Sequence, residues 1–357
     1  MNYKKRYGIL NRLLYRVAFY TKKTQYAFAN FEKKLYQEKL KKVSINNPVF
    51  ISGLPRAGTT ILLRLLWRTN EFATYIYQDM PFILCPLLWH KYSSYFTKDT
   101  GKRERTHGDG IKISGKSPEA FEELIWKYFW PDHYQTNNIK PWTSGEKNKE
   151  FSNFFKSHIK KIITIRKSII SKQGRYLSKN NLNISRLALL PEPFNKGVFL
   201  VPFREPLQQA ASMLRQHKRL LSIQKKNSFI TEYMKAIGHH EFGKTLKPIN
   251  FNNWLNKPSN PSKMTFWVKY WIAAYSFIIE QAKDSVILIS YEKLFKKPKL
   301  SLHQLQDLLG LPQDKLASQF RQLHSPRLYS VQEKELSKSL LKKASDIYTY
   351  LRKKSFI

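Results

Sequence analysis

The sequence predicts an α/β chain, a parallel sheet with helices on both faces and basic helical extensions at each end. Three observations carry that prediction. Four short apolar segments, at 49–52, 175–178, 198–203 and 286–290, are each bounded by Gly, Pro, Lys or Asp. Helix-period patterns run between them, and the first segment passes through two glycines directly into such a pattern. Short buried strands that alternate with helices require a sheet covered on both sides.

Taken in order, the first 43 residues hold twelve Lys/Arg and two Glu. Ile9, Leu13, Val17 and Tyr20, then Phe28, Phe31 and Leu35, fall at helical spacing. One or two basic amphipathic helices are expected, docked on the chain's own surface or touching an anionic membrane. The core begins at Pro48 with the strand 49–52. Residues 59–69 are apolar on most faces, as a buried helix is. Residues 206–221 set Leu207, Ala210, Ala211, Leu214 and Leu221 on one stripe behind Pro206, a residue suited to a first turn. Residues 266–283 repeat the pattern with Trp267, Tyr270, Trp271, Ala274 and Ile278, a core helix more than a stacking platform. Polar stretches with Pro and Asn breaks at 138–149 and 248–261 read as loops. The expected organisation is a basic helical extension (1–45), an α/β domain (46–330) and a basic helical tail (331–357).

Composition narrows the partners. At 357 residues, 42% hydrophobic and 14% aromatic, the chain is not disordered in general. Its 63 Lys+Arg against 25 Asp+Glu give a net charge of +38, which implies nucleotide phosphates, nucleic acid, acidic glycans or an acidic membrane, or else a lysine-rich coding bias. The single cysteine, Cys85, excludes an intramolecular disulfide and a Cys-based zinc site; in its apolar run it reads as a small core residue. No run of about 18 apolar residues and no secretory leader pattern is present, so a cytoplasmic protein is expected.

The most informative stretch runs from Pro48 to Leu63. A strand enters Gly53-Leu-Pro55-Arg56-Ala57-Gly58 and emerges as a helix at Thr59-Thr60. Glycines let consecutive N–H groups face one anion, and the helix start adds donors and a positive dipole end. Where an ATP-binding loop carries Lys before Ser/Thr, this one has Thr59-Thr60, with its cation displaced to Arg56. A planar guanidinium and two hydroxyls suit a phosphosulfate better than a triphosphate. A second strand, 198–203, ends in Arg204-Glu205-Pro206 and leads to a helix bearing Ser212. Ligands of parallel sheets gather at the carboxyl ends of strands, where Arg204 and Ser212 can converge on one phosphate. Alone, the same residues fit a helix cap and a packing serine.

Together these motifs resemble the PAPS-dependent sulfotransferases, enzymes that use 3′-phosphoadenosine-5′-phosphosulfate, and most of all the bacterial members with a P-R-S-G-T-T loop. Here Ala57 replaces the serine. The resemblance spans about Pro48 to Pro312 and includes Ser290-Tyr291-Glu292 and the segments Ser117–Glu123 and His239–Gly243. It implies that Pro55, Arg56, Ala57, Gly58, Thr59 and Thr60 hold the 5′-phosphosulfate, and that Arg204 and Ser212 hold the 3′-phosphate, with PAP as product. Lys179, at the end of the strand from Arg175, is similar to the family lysine at the bridging oxygen, although Asn181 stands where many members have Pro. Asp79, 23 residues after Arg56, is similar in position to the glutamate base of protein-tyrosine sulfotransferases and is the expected base, with Arg56 and Lys179 as the catalytic cations.

Glu119, Glu122 and Glu123 follow Ser117-Pro118 as a helix-start cluster or an alternative base. His107 and His217 fit no base motif, the adjacent pair His239-His240 would point apart on a helix and so suits a place near the acceptor rather than a metal site, and no cluster has metal-ligand spacing. Trp126, Trp130 and Trp142 are packing residues or an acceptor platform. The acceptor is a hydroxyl on a glycan, lipid, tyrosine or small metabolite. The competing readings are a P-loop nucleotide kinase or NTPase, and an inactive basic protein that binds nucleic acid or membrane. The first lacks its loop lysine, and the second lacks a nucleic-acid motif.

Overall fold

The computed structural model describes residues 18, 22–96, 103–104, 112–172, 174–256, 259–282, 284–323, 327–331 and 333–357. Five strands form one sheet: β1 (Val49–Ile51), β2 (Phe72–Ala73), β3 (Arg175–Lys179), β4 (Val198–Phe203) and β5 (Ile287–Ser290). Their order is β2-β3-β1-β4-β5, and every pairing is parallel. The expected α/β architecture is therefore present, with β1 at the centre.

Side-chain alternation divides the interior into two layers. Val49 and Ile51 point to a core shared with Leu177, Leu200 and Ile289, covered by helix α2 (Thr59–Trp67) and by the helix Pro298–Leu308. Phe50, Tyr176, Phe199 and Val201 point to the opposite core, which is built with helices α4 (Lys149–Arg166), α5 (Pro206–Lys226) and α7 (Met264–Gln281). Trp267, Trp271 and Tyr275 of α7 are fully buried, as the core reading requires.

Two elements lie outside the sequence expectation. Strand β2 has two residues and carries no periodicity, whereas α4 sets Phe151, Phe155, Ile159 and Ile162 inward among its lysines. The core is also continuous across the expected boundaries at 45 and 330. Helix α1 (Lys22–Leu35) buries Gln25, Ala29 and Glu32, while helix α8 (Lys338–Lys354) buries Ala344 and Leu351. Inside, Lys161 Nζ of α4 lies 2.9 Å from the Glu32 carboxylate and donates to the Ala29 carbonyl at 2.8 Å.

The apolar stripe expected to define α1 faces the other way: Phe28, Phe31 and Leu35 are 53%, 58% and 57% exposed. Ile9, Leu13, Val17 and Tyr20 lie outside the described residues. Beyond α8, Phe356 and Ile357 run along β5, the Phe356 N–H donating to Leu288 and the Ile357 carbonyl accepting from Ser290, each at 2.9 Å. Among the described residues no helix is long and apolar enough to cross a membrane.

Candidate functional site

The carboxyl ends of β1, β3, β4 and β5 lie side by side and deliver, in turn, the 52–58 loop, Lys179, Arg204 and Tyr291. The loop is tightly built. A Cβ on Gly53 would stand 2.9 Å from the Pro202 carbonyl, so only glycine lets β1 leave so close to β4. Arg56 and Gly58 both adopt positive φ, 73° and 96°, and fold the chain back before Thr59 opens α2. Gln209 of α5 fixes this turn, its Nε2 donating to the carbonyls of Leu54 and Pro55 at 3.3 and 3.0 Å. Its Oε1 accepts from Trp271 Nε1 at 3.0 Å and from the Arg204 N–H at 3.3 Å, so the loop is tied to the end of β4.

The two expected anion anchors meet. Arg56 Nε donates to Ser212 Oγ at 3.0 Å, and the Arg204 guanidinium stacks 4.7 Å from the Tyr291 ring centroid. Tyr329, from a distant part of the chain, joins them: its hydroxyl accepts from Ser212 at 3.3 Å. Burial raises the Tyr291 phenol, with Arg204 and Arg56 both opposing that shift. The two guanidinium groups therefore share one neighbourhood.

Beside Arg56, Thr59 and Thr60 opens a cleft of about 1110 Å³, counted with its mouth. Lys179, Asn180, Asn181, Glu119, His239 and Glu241 supply its polar wall. His239 Nε2 lies 2.9 Å from Glu241, whose other oxygen accepts from Asn181 Nδ2 at 2.6 Å. Burial works against the charged forms of both, yet Glu241 raises the His239 imidazole above its usual range, while His239 and Lys179 hold the Glu241 carboxyl well below its own. The pair follows α6 (Ser228–Ala236) in a non-helical segment rather than on a helix, and this separates the adjacent histidines. His240 turns inward to the Thr245 carbonyl, and burial drops it to about 4.

Asp79 is a correction. It is 4% exposed and does not line the cleft. Arg166 Nη2 reaches both of its oxygens at 2.5 Å, and the Ile76 N–H donates to Oδ2 at 2.8 Å. A carboxylate held this way closes a turn and anchors α4.

The other candidates sort by contact. Glu122 is buried and accepts from Tyr176, and burial raises its pKa. Glu123 touches the cleft but is claimed by Arg186 at 2.7 Å and Asn180 at 2.7 Å. Glu119 lines the cleft and accepts from the Tyr77 hydroxyl. His217 accepts from the Gly243 N–H at 3.1 Å and is lowered to about 4 by burial, a satisfied packing histidine. His107 lies outside the described residues. Trp126 and Trp142 are buried edge to face with each other, both rings against the Arg186 guanidinium at 4.2 and 4.3 Å, and form no platform. The Cys85 thiol is buried and pushed up to about 12. Among the described residues no group of His, Cys, Asp and Glu is arranged to hold a metal.

Sequence reasoning missed Gln209, Tyr291 and Tyr329. Gln209 lies on α5 and Tyr291 follows β5, elements already in view, but only proximity in space marks their role or that of Tyr329.

A family model described as "Sulfotransferase domain" matches residues 46–355. No curated protein matches the chain. Solved structures similar to it include sulfotransferase STF9 from Mycobacterium avium, at 13% identity and a TM-score of 0.47 over 91% of this chain and 81% of that one. Sulfotransferase STF1 from Mycobacterium tuberculosis follows, at 15% and 0.45 over 89% and 81%. A sulfotransferase from Alicyclobacillus acidocaldarius is similar at 11% and 0.40, over 87% and 97%.

Proposed function

This chain belongs to the sulfotransferase-domain family and is a sulfuryl-transferring enzyme, and we propose that its donor is PAPS and its acceptor a hydroxyl on a largely apolar body. The observation that carries the donor reading is the contact of Arg56 with Ser212, with Arg204 near both through Tyr329; of the three, Arg56 lines the cleft. In this reading the loop from Pro55 to Thr60 cradles the phosphosulfate, Ala57 contributing backbone alone, and Arg204 with Ser212 takes the 3′-phosphate.

The acceptor oxygen attacks sulfur in line, the bond from sulfur to the bridging oxygen breaks, and that electron pair leaves on the phosphate of PAP. Arg56 and Lys179 neutralise the charge that develops there. The proton of the acceptor hydroxyl passes to His239, held in orientation by Glu241, a dyad that lines the cleft where Asp79 does not. Phe121, Leu182, Tyr233, Met234, Ile237 and Phe242 make the remaining wall, which supports an alkyl or aryl alcohol over a polyanionic glycan.

A second proposal concerns location: a cytoplasmic enzyme in peripheral contact with anionic bilayers through α1. Phe28, Phe31 and Leu35 supply its exposed apolar edge, and Lys33 and Lys34 lie exposed between them.

The deciding experiment incubates purified protein with labelled PAPS and two acceptor panels, apolar alcohols and phenols in one, oligosaccharides in the other. Label in the first panel alone is expected. Transfer only to oligosaccharides overturns the acceptor reading. Magnesium-dependent ATP turnover without sulfuryl transfer overturns the donor reading.

A further inference from the structure

Helix α5 carries Gln208, Ser212 and Arg215 along one face, and the five-residue segment 327–331 lies against it. Gln208 clips the backbone of Tyr329 twice: Nε2 donates to its carbonyl at 2.9 Å, and Oε1 accepts from its N–H at 2.8 Å. Arg204 Nη2 donates to the Arg327 carbonyl at 2.9 Å, and Ser212 donates to the Tyr329 hydroxyl. The guanidinium groups of Arg204 and Arg215 each stand 5.9 Å from the Tyr329 ring centroid. Burial opposes ionisation of this phenol, yet Ser212, Arg56 and Arg204 together hold it below its usual range.

The surroundings suit a doubly charged oxyanion better than a phenol. A phosphate accepts from guanidinium and hydroxyl donors at once and gathers charge-assisted bonds that a neutral oxygen and a backbone carbonyl cannot equal. The donors of Ser212 and Arg204 that are proposed to hold the 3′-phosphate are engaged by residues 327–329 instead. On the PAPS reading, we infer that Tyr329 occupies the seat of the donor's 3′-phosphate, and that residues 327–331 must lift from Ser212 and Arg204 for the donor to bind. Tyr329 then sets how strongly the 3′-phosphorylated nucleotide is preferred. A nucleotide without a 3′-phosphate leaves the seat to Tyr329 and binds without the displacement, so the closed segment weighs on PAP alone.

The test is titration calorimetry of the full chain, Tyr329→Ala and Tyr329→Phe with PAP, ADP and inorganic phosphate. Apparent affinity scales with the fraction of chains already open, so Tyr329→Ala is expected to tighten PAP about tenfold. Tyr329→Phe should tighten it less, and ADP should move less than about twofold. Weaker or unchanged PAP binding in Tyr329→Ala, or an equal gain for ADP, overturns the inference. If no chain binds PAP, the donor reading itself fails, and inorganic phosphate then decides the seat: tighter binding in Tyr329→Ala sustains it, and no change removes it. Tyr329 is only partly buried, so both variants should fold, and an unchanged melting temperature verifies that they do.

Discussion

Arg56 and Ser212, 156 positions apart in sequence, share a 3.0 Å hydrogen bond. The contact joins the loop after β1 to the helix after β4 and brings the two motifs together, as the proposed donor site requires. Arg204→Ala is therefore expected to weaken PAP about 10- to 100-fold, the cost of a charged hydrogen bond. ADP should weaken far less, because the lost partner is the 3′-phosphate. Calorimetry with both nucleotides checks the difference, and equal losses would place Arg204 outside that site.

His239→Ala should lower kcat by about 10²- to 10⁴-fold, the range for losing a positioned general base. A base must be neutral, so activity should fall as pH drops through the His239 pKa. Glu241 outweighs burial and holds that pKa above 6.5, which puts the acid limb of the wild-type profile above 6.5. Glu241→Gln leaves burial and Lys179 opposed by Glu119 alone, the weakest of these influences, and the limb should move to lower pH. A pH–rate profile that stays put in Glu241→Gln would assign the proton elsewhere.

Gly58→Ala tests the loop itself. Its φ of 96° disfavours any side chain, and the added Cβ would meet the Tyr291 ring at 3.0 Å. Left-handed backbone alone costs about 1–2 kcal/mol. The melting temperature should fall, and PAP should bind more weakly as Tyr291 is pushed against Arg204.

Lys161→Met should destabilise the chain by about 3–5 kcal/mol, because it leaves the buried Glu32 carboxyl without its cation. Adding Glu32→Gln should restore much of the loss. Denaturant unfolding of the single and double variants measures both steps. A double variant no better than the single would show that the pair is not coupled.

Replacing Phe28, Phe31 and Leu35 together by Ser should abolish co-sedimentation with vesicles of phosphatidylglycerol and leave PAP binding intact. Wild-type binding should fall with added salt if the neighbouring lysines contribute. Vesicle binding unchanged by the triple substitution would remove α1 from the contact.

Much of the sheet was legible because buried parallel strands are written as short apolar runs, and β4 begins and ends where its run does. Arg204 and Lys179 were legible for a related reason: each stands where such a run meets polar chain. Asp79 was not. Nothing in its neighbourhood announces that Arg166, 87 residues later, holds it. Helix α1 misled in the same way, since its buried stripe is the less apolar one, Gln25, Ala29 and Glu32, with Glu32 matched to a lysine on another helix. His239 was visible as one of two adjacent histidines opening a family-like segment; the irregular backbone after Gly238 decides which of them faces the cleft.

The ion pair inside α1 and α4 bears on how this protein can be shortened. Cutting it back to the matched span, 46–355, would delete Glu32 while Lys161 stays in place, and would strip Phe356 and Ile357 from the rim of β5. Such a fragment would carry a stranded ammonium in its interior and a bare strand edge at its side, two routes to aggregation. For this chain the limits of family similarity are not the limits of what folds.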